Sequence, residues 1–446
     1  MDIATLYTCF QECGEVTTDS RHCPEGSLFI ALKGASFNGN AFAAKALEQG
    51  CRYAVIDEAD YADVDNSRLL LVDDCLKTLQ QLANYHRRQL GTRIIGVTGT
   101  NGKTTTKELI ASVLSEKYNV LYTQGNYNNH IGVPLTLLQL TKEHDLAVIE
   151  MGANHPGEID TLVHIAEPNY GIITNVGKAH LEGFGSFQGV IRTKGELYDF
   201  LRNKSGSVVF IQNENPYLNK IVGDLKTVSY GKSEGLYVSG HVTSCKPFLA
   251  YEWSADGKMY EVQTHLIGSY NLDNALAATA IGRYFEVSEE QICHALSTYE
   301  PHNNRSQLTQ TSDNQLIVDA YNANPTSMMA ALENFKMIEA PHKMAILGDM
   351  KELGAGSKDE HQKIVDFLRT CPFERVILVG TEFESTDAAS SLMTTNVDSE
   401  TARVTFEMYA DTASLTEVLK NEKPTDKLIL IKGSNSMKLA ALQYIL

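Results

Sequence analysis

The sequence predicts an α/β protein of three domains. Three observations carry that prediction. At 446 residues the chain is too long for a single core. Short apolar, β-branched runs alternate with helical periodicity along most of it. One such run, Ile94-Ile95-Gly96-Val97, leads straight into Gly99-Thr100-Asn101-Gly102-Lys103-Thr104-Thr105.

Composition narrows the class. Hydrophobic residues make up 43% of the chain and charged residues 21%, the balance of an ordinary globular protein. A net charge of −17 argues against a broad nucleic-acid-binding surface and leaves room for local phosphate pockets. Met1-Asp2-Ile3-Ala4 lacks the basic segment and apolar stretch of a secretory leader. No apolar run approaches the roughly 18–20 residues of a membrane helix. The eight cysteines are scattered and none forms C-x-x-C, so neither a zinc site nor a disulfide framework is expected. Reduced thiols, no membrane insertion and a cytoplasmic address follow.

Residues 1–84 read as a small α/β N-terminal domain. Strands are expected at Leu28–Leu32, Tyr53–Ile56 and Leu69–Val72, with helices around 40–49 and 74–90. Asp19-Ser20-Arg21, Lys33 and the Asn38–Phe42 loop are polar. They suit either a phosphate-bearing ligand or plain solvated loops.

Residues 85–300 read as the central domain. Strand, glycine-bearing loop, Gly-Lys-Thr and helix describe a phosphate-binding loop. The spacing is tighter than G-x-x-x-x-G-K-[ST], because Val97 stands five before Gly102. An ordinary glycine turn is the alternative. A lysine and three threonines in the first helical turn are poor choices for one. Lys103 would reach the phosphates and Thr104 would sit on Mg²⁺. Helix is expected over Lys107–Lys117, strand at Val120–Thr123, then the loop Gly125-Asn126-Tyr127-Asn128-Asn129-His130 at a strand's carboxyl end.

The strand Leu146–Ile149 ends in Glu150, either a magnesium ligand or a helix-capping acid. Tyr170–Thr174 is another strand, with His180 just beyond it, structural or functional. Lys194 falls in a helical stretch. An ammonium has donors only, so it must pair with an anion or be chemically altered. Strands at 206–211 and 226–230 follow. Tyr237–Val242 and Phe248–Trp253 flank the hairpin signal Asp256-Gly257, which predicts a small antiparallel sheet added to the parallel one. Helix resumes at Ser269–Ala278.

Composition shifts at Pro301-His302-Asn303-Asn304-Arg305, and residues 301–446 read as a C-terminal, doubly wound, Rossmann-like α/β domain. Strands are expected at Gln315–Asp319, Lys343–Leu347, Arg375–Val379 and Leu428–Ile431. Asp319-Ala320-Tyr321-Asn322-Ala323-Asn324-Pro325 and Leu347–Gly354 then fall on the rim where such sheets bind ligands.

Taken together, Gly99–Thr105, Glu150-Met151-Gly152-Ala153-Asn154, Thr174–His180 and Tyr270-Asn271 with Asn274 resemble the Mur ligases. These are ATP-dependent amide-forming enzymes of peptidoglycan precursor synthesis, with folylpolyglutamate synthases as relatives. Gly125–Pro134, Glu150–Ile159, Tyr321–Pro325 and Leu347–Gly354 are similar to the branch that joins D-alanyl-D-alanine to UDP-N-acetylmuramoyl-tripeptide. The resemblance implies that Ser20, Arg21 and Lys33 face the UDP group, and that Asn128, Asn129, Asn154, His155, Asn322 and Asn324 face the rest of the substrate. It implies ATP contacts from Gly99, Thr100, Asn101, Gly102, Lys103, Thr104 and Thr105. Asn271 would meet adenine, and Arg305 and Asp319 would reach the nucleotide from the C-terminal domain. Mg²⁺ would rest on Thr104, Glu150 and His180. Lys194 matches the family lysine carbamylated by CO₂, whose carbamate can ligate a second Mg²⁺. Lys103, Lys194, His180 and Arg305 are thus the expected catalytic set, in a monomer. Two departures stand out: Asn303-Asn304 where Pro-Gly is common before the arginine, and Lys432-Gly433-Ser434 without the acidic residue usual downstream. Lys432 and Ser434 are carried over as peptide contacts.

The chemistry implied is acyl-phosphate formation from the tripeptide carboxylate and ATP, then attack by the dipeptide amine. Two other readings compete. One is a sibling ligase that adds another amino acid, although a folate enzyme would have its phosphate loop nearer the N-terminus. The other is an ATP-binding regulatory module, which leaves His180, Lys194, Arg305 and Asp319 unexplained.

Overall fold

The computed structural model of the chain describes residues 1–63, 65–301, 305–388 and 404–446. The reading placed on His302, Asn303 and Asn304 lies outside the described residues. Strands and helices fall into three sheet-centred units, as expected, but their edges differ in instructive ways.

The first unit has a parallel sheet in the order Val16–Thr17, Leu28–Ile30, Tyr53–Ile56, Leu69–Leu71. Helix Cys75–Leu90 leaves it. Asp74 caps that helix by accepting from the Lys77 amide at 2.9 Å, and Gly91, at φ 69°, ends it. This one helix runs through the expected boundary at 84/85 and so ties the first unit to the second. Gln80, on its length, donates to the His130 carbonyl at 3.0 Å.

The central sheet has nine strands. Strand Arg93–Thr98 lies between Leu146–Glu150 and Tyr170–Ile173, all parallel. The chain goes from Arg93–Thr98 to the edge strand Val120–Tyr122, returns to place Leu146–Glu150 between them, then crosses to the other side. The phosphate-binding loop therefore sits at a topological switch point, where open α/β sheets open a ligand crevice. Strands such as Leu146–Glu150 and Val208–Gln212 are buried at every residue, which is why they read as unbroken apolar runs.

The small antiparallel sheet expected beside the parallel one is present as its far edge. Strand Val238–Cys245 pairs in parallel with Thr227–Gly231, and only then does the direction reverse. The Asp256-Gly257 turn joins Phe248–Ala255 to Lys258–Ile267, with both turn residues at positive φ (51° and 76°). The hairpin signal was therefore right, but the stretch Tyr237–Val242 belongs one strand earlier. The phosphate-loop helix starts at Lys103, four residues before the periodic stretch, because glycine at φ 76° in position 102 lets the chain enter it directly.

The third sheet runs Gln307–Gln310, Asn314–Asp319, Lys427–Lys432, Lys343–Gly348, Arg375–Val379, Thr405–Tyr409. All but the first pair are parallel. Its last strand inserts between the first two parallel ones, so the carboxyl ends at Asp319, Gly348 and Lys432 converge. Among the described residues no helix is long and apolar enough to cross a membrane.

Candidate active site

The carboxyl rims of the central and third sheets face one another across a cavity of about 910 Å³. The phosphate-binding loop forms its floor. Gly99 lies at φ 142°, and a Cβ there would meet Thr174 Oγ1 at 2.0 Å; at Gly102, φ 76°, it would meet Asn274 Oδ1 at 2.6 Å. Only glycine lets the loop pass so close to its neighbours.

Those neighbours brace it. The Asn101 amide donates to Asn175 Oδ1 at 3.0 Å, and the Asn101 carbonyl accepts from Thr174 Oγ1 (2.6 Å) and Asn175 Nδ2 (2.9 Å). Thr106 donates to Asn274 Oδ1 at 3.0 Å, and Asn274 Nδ2 donates to Asn271 Oδ1 at 2.8 Å. One chain of hydrogen bonds therefore links the loop helix to Asn271, the residue expected at adenine. Asn175 and Asn274 were given no role from sequence, since asparagine there reads as turn or cap.

Lys103 bends over the loop and donates to the carbonyls of Gly99 (2.9 Å) and Thr100 (3.1 Å). Burial lowers its pKa to about 8; Glu150 opposes that shift and Arg305 adds to it. Thr104 is buried beneath the loop. Glu150 ends its strand 1% exposed. Asn128 Nδ2 donates to its Oε1 at 2.8 Å, while Oε2 is buried without a hydrogen-bond partner. A buried anionic oxygen with no donor is costly unless a cation meets it. His180 Nδ1 is bonded to Glu352 Oε2. Burial keeps the His180 pKa below its ordinary value; Glu352 opposes, and Lys103 and Lys194 reinforce. A neutral imidazole with a free nitrogen is a metal ligand. Thr104 lies outside the cavity lining, while Glu150 and His180, which line the same cavity, thus offer an oxygen and a nitrogen to a hard divalent cation that keeps some water or phosphate oxygens. That suits Mg²⁺, which seldom takes a full protein cage.

Lys194 is 2% exposed on helix Phe187–Arg202, behind the cavity wall rather than on it. Its Nζ donates to the Ala153 carbonyl at 3.2 Å and lies 5.2 Å from the Phe184 ring centroid. Burial, then the charge of Lys103, hold its pKa well below the lysine range, against Glu158 and Glu196. Among the described residues no carboxylate lies at bonding distance of this side chain, so the simple ion pair that the sequence left open is not made.

Across the cavity, the Arg305 guanidinium lies 3.8 Å from the Tyr321 ring centroid. Asp319 is gripped by Lys432 Nζ at 2.5 Å and accepts from the Ser306 amide at 3.3 Å. Lys432 is thus committed to Asp319, and Ser434 Oγ accepts from the Lys351 amide at 2.9 Å. Asn324 caps helix Pro325–Met337 by accepting from the Ser327 amide, while its Nδ2 donates to Asn101 Oδ1 at 2.7 Å. One side chain thereby starts a helix and clamps the two units together.

The cavity brings together Thr100, Asn101, Gly102, Lys103 and Thr105 with Glu150 and His180, and adds Asn271, Arg305 and Asp319. Asn128, Asn129, Asn154, Asn322 and Asn324 also line it. Asn129 works as well as a turn former, accepting from the Gly132 amide at 2.8 Å. His155 is exposed and turned toward Glu158. Ser20, Arg21 and Lys33 stand apart on the first unit. Arg21 is paired with Asp19 at 2.8 Å, and Lys33 with Asp57 (3.1 Å) and Glu58 (3.3 Å). The cavity reaches toward that unit at Gln80 and His130.

Family profiles match along nearly the whole chain: the Mur ligase family catalytic domain over residues 13–87, the Mur ligase middle domain over 97–282, and the Mur ligase glutamate ligase domain over 304–435. The UDP-N-acetylmuramoyl-tripeptide--D-alanyl-D-alanine ligase of Bacillus subtilis is 35% identical over 95% of this chain and 91% of its own length. The enzyme of that name from Escherichia coli is 35% identical over 94% and 91%. A crystal structure of MurF from Acinetobacter baumannii superposes with a TM-score of 0.84 at 30% identity, over 99% of this chain and 97% of that one. MurF ligase from Thermotoga maritima in complex with ADP gives 0.81 at 26% identity, over 97% and 96%. With that coverage and with the phosphate loop, the buried glutamate and the arginine gathered on one cavity, the chain belongs to the Mur ligase family.

Proposed function

We propose that this protein joins D-alanyl-D-alanine to UDP-N-acetylmuramoyl-tripeptide with ATP, giving the pentapeptide precursor of peptidoglycan. The observation that carries the reading is one cavity lined both by a phosphate-binding loop and by the asparagine-rich strand ends of two sheets. That geometry suits a nucleotide and a long peptide substrate meeting end to end. Relatives of full length that carry the ligase name support it.

A carboxylate and an amine do not condense favourably in water. The tripeptide carboxylate attacks the γ-phosphorus of ATP, ADP leaves, and an acyl phosphate forms. The dipeptide amine then attacks the acyl carbon, phosphate leaves and the amine gives up a proton. Lys103 neutralises charge on the transferring phosphoryl group, and Arg305 reaches the same group from the third unit. Asn271 contacts adenine, and Asp319 contacts the nucleotide from the third unit. Thr104, Glu150 and His180 would hold Mg²⁺, and Lys194, as its carbamate, a second one. Bound Mg²⁺ supplies the positive charge that lets one anion approach another. Asn128, Asn129, Asn154, His155, Asn322 and Asn324 line the path of the muramoyl-peptide. Ser20, Arg21 and Lys33 lie on the unit we assign to UDP. We place the divisions at 84/85, inside the helix Cys75–Leu90 that the first two units share, and at 300/301, and the functional state as a cytoplasmic monomer.

The test is phosphate release from ATP with Mg²⁺, the UDP-tripeptide and D-alanyl-D-alanine, each omitted in turn, with mass spectrometry of the product. Release that needs all components and yields the UDP-linked pentapeptide establishes the reading. Release that needs a different amine moves it to a sibling ligase. ATP binding without product from any amine overturns it in favour of a regulatory module.

A further inference from the structure

The loop Asp349-Met350-Lys351-Glu352 follows strand Lys343–Gly348, and nothing in the reaction so far uses it. Its first residues are fastened from three sides. The Asp349 carboxylate accepts from the amides of Glu382 and Phe383, both at 3.2 Å. The Met350 amide donates to Nε2 of the buried His361 at 3.0 Å, and the Lys351 amide to Ser434 Oγ at 2.9 Å. Past these anchors the backbone turns at Glu352, whose φ of 64° is the left-handed region a glutamate rarely adopts. The turn sends the Glu352 carboxylate across the gap between the two units to His180 Nδ1. The Glu352 carbonyl also accepts from the Glu182 amide at 3.4 Å. His180 too is left-handed, at φ 50°. Strained residues of this kind collect where a site must be held in one geometry.

A carboxylate only accepts hydrogen bonds, so Nδ1 carries the proton and Nε2 keeps its lone pair. We infer that Glu352 is a positioning residue: it holds His180 in the Nδ1–H form and aims Nε2 at the cation position beside Glu150. The partner comes from another sheet unit, so docking of the third unit and completion of the cation site become one event. Orienting partners of this kind are worth about 10- to 100-fold in metal affinity or activity. The inference rests on the functional reading for the reaction it serves, and on the orphaned Glu150 oxygen for the cation.

The test uses Mn²⁺ as a paramagnetic probe of the full chain with a non-hydrolysable ATP analogue. Electron spin echo spectra report a nitrogen coupled to Mn²⁺, assigned by its loss in His180→Gln. Glu352→Ala is expected to abolish that coupling and weaken Mn²⁺ binding about tenfold, while Glu352→Gln, which keeps an acceptor oxygen, loses less. Glu360→Gln is the control, because Glu360 accepts from Lys178 across the same gap at 3.0 Å without touching His180; it should keep the coupling. An intact coupling in Glu352→Ala overturns the inference. So does an equal loss in Glu360→Gln, which would assign the effect to docking in general. A wild-type chain that shows the coupling but ligates no amine sinks the functional reading and leaves Glu352 in place.

Discussion

At the scale of single residues, two lysines separate by environment, Lys194 buried behind the cavity wall and Lys103 part-buried on it. Lys194 sits where its ammonium form is strongly disfavoured. A free amine adds CO₂, whereas an ammonium does not, so burial would make the proposed modification available near neutral pH. Lys194→Ala should lower turnover by at least about 100-fold, the scale of losing a charge-stabilising group, and added acetate or propionate should restore part of it. A fully active variant in a phosphate-release assay would remove the carbamate from the mechanism. Lys103 is the opposite case, since the proposed reaction needs it as a cation. Its pKa is lowered to about 8, mainly by burial. The free protein therefore holds the charge below that pH and loses it as pH rises through it. Phosphate oxygens favour the charged form, so binding a non-hydrolysable ATP analogue should raise the pKa and take up a proton. Analogue affinity, measured by calorimetry, should fall as pH rises past about 8, with proton uptake greatest in that range. An affinity flat from pH 7 to about 9.5 would contradict this.

At the scale of elements, the loop between strand Arg93–Thr98 and helix Lys103–Ser115 depends on its contact with Thr174 and Asn274. Gly99→Ala places a methyl group against Thr174 Oγ1 and breaks the bond that oxygen makes to the Asn101 carbonyl. It should cost about 1–3 kcal/mol of stability and most of the ATP affinity. Adding Thr174→Ala should recover part of the stability, read by thermal denaturation, but not the part due to backbone conformation at φ 142°. No recovery at all would mean the clash is not with Thr174. The same elements show what sequence reveals. Leu146–Glu150 was legible because a strand buried on both faces is an unbroken apolar run, and its terminal acid stands out. Lys258–Ile267 was not, because its exposed half is polar and its alternation starts two residues late. Lys432 looked like a ligand contact and is bonded to Asp319, a pairing across 113 residues that no local pattern encodes. For the same reason Asn324 with Asn101 and Glu352 with His180 were invisible, although each partner sat in a motif that had been singled out.

At the scale of the whole molecule, the site exists only between units. The third sheet reaches the central one through Asn324 on Asn101, Glu360 on Lys178 and Ser306 on Tyr270, at 2.7, 3.0 and 2.6 Å. Glu352 on His180 joins them, and Ile267 and Phe248 of the central sheet pack against the third core; the polar contacts are the kind that allow units to part and meet again. An acyl phosphate exposed to water would hydrolyse, so closure has to precede or accompany its formation. Arg305 is the group whose effect should reveal this. It stands at the start of the third unit, stacked on Tyr321 of the same unit. In the proposed reading the UDP end of the substrate is held by the first unit, away from Arg305. Arg305→Ala should therefore lower kcat by about 100-fold or more, while the dissociation constant of the UDP-tripeptide changes by less than about threefold. Tyr321→Phe keeps the ring beneath the guanidinium and should change kcat little. Tyr321→Ala frees the arginine and should cost about 2- to 30-fold, the range of a cation–π contact. Calorimetry for the substrate and single-turnover phosphate transfer separate the two quantities. If turnover and UDP-substrate binding fell together in Arg305→Ala, the arginine would be part of a preformed substrate site, and closure would have no role in bringing it to the nucleotide.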